Sequence, residues 1–227
     1  MTSGRGLEGA YTDTLDRIQE QCENQTILAM QALMWISRSE RPLIVNELCH
    51  ALAVEIGSTH LDSDKVPSIH TILSCCLGLI AVDEEASTVR LIHFTLHEYL
   101  RDHSTLFPSP HGTMAEVCLT YLNFQPTEDP LPPSEPMTKT PFFEYASYYW
   151  VAYAGKETTN KGKSLAVKLL SQYDTHRSAG LLLSKIYCEE GGLWGRNGLP
   201  SAGFTGLHIA AFFGNTEIVA SLLKIKD

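Results

Sequence analysis

No stretch of this chain approaches the roughly 20 uninterrupted apolar residues that span a bilayer. Its start, Met1-Thr-Ser-Gly-Arg-Gly6, lacks the apolar core of a secretory signal. The expected location is therefore cytoplasmic, with no membrane partner. Cysteine is present but unpatterned: Cys22, Cys49, Cys75, Cys76, Cys118 and Cys188 show no CxxC spacing, and adjacent Cys75-Cys76 suits neither a bridge nor metal ligation. Buried reduced thiols are expected, and the Asn24-Gln-Thr26 glycosylation triplet carries no weight in that compartment. No GxxxxGK[ST] phosphate loop and no GxSxG elbow occurs, so no cofactor, small-molecule substrate or catalysis is expected. Positive charge is scarce as well. Seventeen Lys and Arg face 26 Asp and Glu, a net charge of −9, and that field repels nucleic acid.

What remains is a foldable chain, 44% hydrophobic and 19% charged. Tyr11, Leu15 and Ile18 share one helical face, so an amphipathic helix is expected from Tyr11, after a Gly-rich and frayed start. A second helix is expected from Asn24 as cap to about Ser37. Arg41-Pro-Leu-Ile44 reads as a short extended piece, because proline lacks the donor that a helix needs. Helical spacing returns over Val45–Val54 and again over 68–76, where Pro67 is placed as the first helical residue. The period then changes: Leu79–Asp83 and Thr88–Ile92 are β-rich runs around the acidic turn Glu84–Ser87, a hairpin. A helix over Thr95–His103 follows. Three helices and a hairpin, with a short strand before the second helix, give the order of a winged-helix domain.

Beyond Phe107–Gly112, read as a linker, Thr113–Asn123 shows helical spacing. Five prolines between 126 and 136 suit an exposed spacer better than a recognition ligand. Phe142–Tyr153 is an aromatic-rich helix, assigned to a core rather than to an interface. Two more helices are expected near 164–173 and 178–190, before the Gly-rich break at 191–198.

The closing segment, Phe204 to Leu223, resembles an ankyrin repeat. Thr205, Leu207, His208, Ala210, Ala211 and Gly214 fall on the motif positions, with Gly206 where proline is usual. Physically, Ala210 and Ala211 let two helices approach, Gly214 permits the turn between them, and Ile218, Val219, Leu222 and Leu223 supply a buried face. His208 is expected to stabilise the turn rather than bind a ligand. A single repeat leaves an apolar face bare, so a truncated array is expected.

Residues 11–105 resemble the segment that follows the NACHT nucleotide-binding module in fungal NACHT–ankyrin proteins, a branch of the STAND signalling ATPases. The likeness runs through Trp35–Ala53, Cys76–Ile80 and Val89–Leu100, and more weakly through Pro141–Trp150, similar to the connector before ankyrin repeats. The same winged helix is also named after a GPI inositol-deacylase. The resemblance implies a mainly α chain with four parts: residues 1–22 as a tail and the end of a preceding module, 23–105 as the winged-helix domain, 106–198 as a helical connector, and 199–227 as a first ankyrin repeat. It implies a non-enzymatic regulatory or interaction fragment with an unidentified protein partner, as in signalling or non-self recognition. The alternative is the C-terminal part of a STAND NTPase, in which His93, of the pattern His-x-Thr-x-x-Glu-Tyr, touches a nucleotide phosphate supplied by a missing NACHT domain.

Two rival functions lack the residues they need. Duplex binding needs cations on the recognition helix, and 67–79 contains no Lys or Arg while the wing carries Asp83, Glu84 and Glu85. A metal hydrolase could use His93, His97 and Glu98, but their order is wrong for HExxH and no third ligand can be named.

Overall fold

The computed structural model describes residues 3–124, 140–172, 176, 178, 181, 205–212, 214 and 216–224. The Pro-rich spacer at 126–136, the Gly-rich break and all but isolated positions of the helix expected at 178–190 lie outside the described residues. The chain divides into two compact units, one of Met1–Ala53 with Asp62–Pro110, the other of Val54–Leu61 with His111–Asp227. The architecture is mainly helical, with one small antiparallel sheet.

In the first unit α1 (Ser3–Gln19), α2 (Glu23–Arg38), α3 (Val45–Ala53), α4 (Ile69–Cys75) and α5 (Phe94–Asp102) surround strands β1 (Leu43–Ile44), β2 (Ile80–Asp83) and β3 (Thr88–Leu91). The strand order is β1-β3-β2. The expected hairpin is present, with Ile80 opposite Leu91 and Asp83 opposite Thr88, and the extended piece adds a third strand through Leu43 opposite Val89. This register turns Leu43, Ile80 and Val89 inward and leaves Ile44 and Arg90 outward. Helix α2 is central: it packs against α1, α3, α4, α5 and β3, and buries Leu33 and Trp35. Each such side chain contributes about 1.5–3 kcal/mol of hydrophobic stabilisation.

Several boundaries differ from the sequence reading, each for a local reason. Helix α1 runs back to Ser3 instead of fraying before Tyr11, and Thr12 and Thr14 hydroxyls donate to the carbonyls of Glu8 and Ala10 one turn earlier. Asn24 is not the cap of α2. That place falls to Cys22, and Asn24 lies inside the first turn. Pro67 is two residues too early to open α4, which begins at Ile69, because Ser68 caps it, its hydroxyl oxygen accepting from Thr71 N at 3.1 Å. From α4 the chain turns into β2 through two left-handed residues, Leu77 (φ 47°) and Gly78 (φ 86°).

In the second unit, α6 (Pro110–Leu122) begins inside the expected linker. Pro110 takes the first helical position, where its missing N–H costs nothing. Helix α7 (Phe143–Lys156) places Tyr145, Trp150 and Tyr153 in the core, as its aromatic content predicted, and the Tyr145 and Tyr153 hydroxyls meet at 2.5 Å. Helix α8 (Asn160–Ser171) starts four residues earlier than expected, because the Thr159 hydroxyl caps Gly162 N at 2.9 Å. A pair of short helices, α9 (Gly206–Phe212) and α10 (Thr216–Leu223), packs against α8.

Candidate functional site

Two places carry the residues singled out from the sequence: the junction between β3 and α5, and the α9–α10 pair.

His93 occupies the junction and is exposed. It is the N-cap of α5, with extended backbone (φ −151°, ψ 150°), so the helix expected from Thr95 begins at Phe94. Its Nδ1 accepts the backbone N–H of Thr95 at 3.3 Å and lies 2.8 Å from Thr95 Oγ1. Tyr11 from α1 reaches the same hydroxyl, its phenol oxygen 2.7 Å from Thr95 Oγ1. Tyr11 also packs edge-on against Tyr99, and the Tyr99 ring stacks on His103 at 4.0 Å. The two residues flanking His93 are apolar yet open to solvent: Phe94 is 68% exposed and Ile92 48%. Sequence reasoning named His93 and the Thr of its motif but missed these neighbours, since an isolated Ile or Phe beside a strand reads as core. Nothing in the sequence pointed to Tyr11 as a partner of Thr95, 84 positions away.

The rest of the first unit's surface has the character its charges predicted. Helix α4 carries no cation, and Glu84 and Glu85 are exposed at the wing, where Asp83 accepts from Ala86 N at 3.1 Å. His97 and Glu98 are also exposed, and among the described residues no group of three or more His, Cys, Asp or Glu side chains is placed to hold a metal ion. With Nδ1 of His93 engaged by a backbone donor, only Nε2 remains open at this residue. Among the described residues no helix is long and apolar enough to cross a membrane.

At α9–α10, Thr205 N donates to His208 Nδ1 at 3.1 Å, and His208 N donates back to the Thr205 carbonyl at 3.0 Å, a reciprocal cap that fixes the first turn. Gly214 turns the chain with φ +67°. Leu207 is half-buried and Ala210 is buried, whereas Ala211 is exposed, so only one of the two alanines faces the interior. Ile218 and Leu222, four apart, face inward with Ile209. Val219 is half-buried and Leu223 is 49% exposed, which corrects the expectation that all four apolar residues of α10 are covered. Ile218 and Leu222, at i and i+4, form the covered row of α10, and the next row, Val219 and Leu223, is covered only in part. Gly206 is buried, and a Cβ there would lie 2.7 Å from the carbonyl carbon and Cβ of Leu170 and closer still to the carbonyl oxygen. Lys163 of α8 reaches Glu217 of α10 at 3.4 Å.

Residues 15–107 match the family described as "GPI inositol-deacylase, winged helix domain". This stretch is a winged-helix domain. Its limits run from the last five residues of α1 through α5 to Phe107, and so take in His93 but not Tyr11. Over 193 residues the chain is 26% identical to the "Azaphilone pigments biosynthesis cluster protein L" of Monascus ruber, an alignment that covers 76% of this chain and 40% of that protein. The chain thus spans about two fifths of the length of the relative it matches. No solved structure matches it.

Proposed function

We propose that this chain is a non-enzymatic regulatory and protein-interaction module of the kind found in fungal NACHT–ankyrin proteins. The observation that carries this reading is the character of the exposed winged-helix surface. A winged helix that enters a DNA groove needs cations on its recognition helix. Here α4 has none, the wing is acidic, and the most exposed large apolar side chain, Phe94, stands with exposed Ile92 on either side of His93 at the β3–α5 junction. Covering what is still exposed of Phe94 and Ile92 is worth about 1–2 kcal/mol each, since full burial of such a side chain is worth about 1.5–3 kcal/mol. The partner that fits is a nucleotide-binding domain of the NACHT type, on this polypeptide or another. The α9–α10 pair, read as an ankyrin repeat, offers a second protein-binding unit. The likeness to a fungal cluster protein supports the fungal setting, and the pigment named there belongs to that protein.

The test is a titration of labelled chain with an ADP-loaded NACHT domain from a fungal STAND protein, beside random duplex DNA at several salt concentrations. Saturable binding to the domain, weakened by Phe94→Ser, is expected. Salt-dependent DNA binding without domain binding would sink the proposal. A second reading, in which His93 contacts the nucleotide phosphate, is favoured by the open Nε2 opposite an occupied Nδ1. It predicts that His93→Ala erases any preference for the ADP-loaded over the empty domain.

A further inference from the structure

The local pattern around His93 occurs a second time in the chain, and the comparison assigns a proton. At 176–178, His176 Nδ1 accepts Ser178 N at 3.2 Å and lies 2.7 Å from Ser178 Oγ, while its Nε2 lies 3.0 Å from the Leu122 carbonyl oxygen. A backbone N–H can only donate and a carbonyl can only accept, so this ring carries its proton on Nε2.

The first half of the pattern recurs at 93–95. His93 Nδ1 faces Thr95 N at 3.3 Å and Thr95 Oγ1 at 2.8 Å. At 3.3 Å the Thr95 N–H is a long and weak donor, so the tautomer turns on the hydroxyl at 2.8 Å: a Thr95 O–H aimed at Nδ1 makes that nitrogen the acceptor and puts the proton on Nε2. The Thr95 hydroxyl then has one direction open to its own proton, towards Nδ1, and its lone pairs accept the Tyr11 O–H at 2.7 Å. A reversed chain, with Thr95 donating to Tyr11, would set the hydroxyl lone pairs against the lone pair of Nδ1. The difference between the two sites is the acceptor: a carbonyl meets Nε2 of His176, whereas His93 is exposed and its Nε2 has no partner among the described residues.

We infer that Tyr11 is a positioning residue for His93, fixing it through Thr95 as an outward Nε2–H donor, so that this surface takes a hydrogen-bond acceptor, an oxyanion or carbonyl oxygen. That His93 meets such an acceptor rests on the function proposed above; the tautomer and its dependence on Tyr11 do not. Helix α1 is thereby tied to the site twice, through Tyr11 to Thr95 and through Thr12, whose hydroxyl lies 3.0 Å from that of Tyr99.

Histidine-selective 15N labelling with long-range proton–nitrogen correlation at about pH 8, above the ordinary histidine range, reads each tautomer. Both His93 and His176 are expected as Nε2–H. Tyr11→Phe, which deletes one oxygen, mixes the tautomers of His93 and leaves His176 unchanged as a folding reference. Thr95→Val does so more strongly, and Thr95→Ser restores the original signature. A His93 proton on Nδ1, or a tautomer ratio that Tyr11→Phe leaves unmoved, overturns the inference. In the binding assay, Tyr11→Phe weakens the ADP-loaded NACHT domain about 5-fold, the worth of one net hydrogen bond. Absence of any binding by the parent chain would count against the proposed function alone, with the tautomer still judging Tyr11.

Discussion

In the ankyrin motif that Phe204–Leu223 resembles, proline is usual where this chain has Gly206, and introducing it is expected to destabilise the α9–α10 pair. Two effects favour proline: it suits the first position of a helix, and it stiffens the unfolded chain, together worth about 0.4–1 kcal/mol. Against them stands the approach of α8. A Cβ at 206 would sit 2.7 Å from the Leu170 carbonyl carbon and Cβ, and closer to the oxygen, where no rotamer can relieve the overlap because the neighbour is backbone. Overpacking of this kind costs about 1–3 kcal/mol, so the net loss is about 1–2 kcal/mol. Hydrogen–deuterium exchange over residues 206–223 measures it: each 1.4 kcal/mol is tenfold in the opening equilibrium, so Gly206→Pro accelerates exchange there about 5- to 30-fold. Gly206→Ala is expected to behave alike, since it adds the same Cβ. Exchange that slows in both variants would refute the seating of α9 on α8.

Glu47→Ala removes a buried carboxylate that receives two Arg41 bonds at 2.8 and 2.6 Å and caps Ile44 N at 2.9 Å. Since Arg41 can turn to water, the expected loss is about 2–3 kcal/mol, read as faster exchange of residues 45–53. Burial pushes His50 and His176 below the ordinary value of 6.5, with the Leu122 carbonyl partly opposing this at His176. Unfolding therefore takes up protons at these sites, and the stability they contribute is complete above pH 6.5 and lost as pH falls towards each folded value. His50→Gln and His176→Gln should each flatten the decline of denaturant midpoint below pH 6.5. Among the described thiols, Cys22 is exposed, which corrects the expectation of burial, while Cys76 is pushed up to about 12 by burial and then by Cys75, and burial raises fully enclosed Cys118. Among these five described thiols, a maleimide time course followed by peptide mapping should label Cys22 first and Cys118 only on unfolding.

Much of the first unit was legible because its signals are local and mutually consistent. Period-two runs around Glu84–Ser87 set the hairpin, and the apolar stripe around Leu33 and Trp35 marked the central helix. Helix starts were less legible where a hydroxyl caps the helix, as the Ser68 cap moved the start of α4 from Pro67 to Ile69. At the candidate site, the motif identified His93, but the Thr95 hydroxyl beside it is met by Tyr11, 84 positions earlier, and no local periodicity encodes that contact. The exposure of Phe94 was equally hidden, since a lone aromatic at a helix start carries the sign of a core residue. In α10, spacing gave the apolar side correctly but could not say how wide a face α8 covers, so Leu223 was overcounted.

The central claim is that the β3–α5 junction, rather than α4, is the working face of the winged helix. Its most direct test is hydrogen–deuterium exchange of the chain with and without saturating ADP-loaded NACHT domain, comparing residues 88–103 with residues 66–79. The account predicts protection centred on 92–99, absent in Phe94→Ser. Protection confined to α4, or protection of α4 by random duplex DNA with none from the NACHT domain, would contradict it.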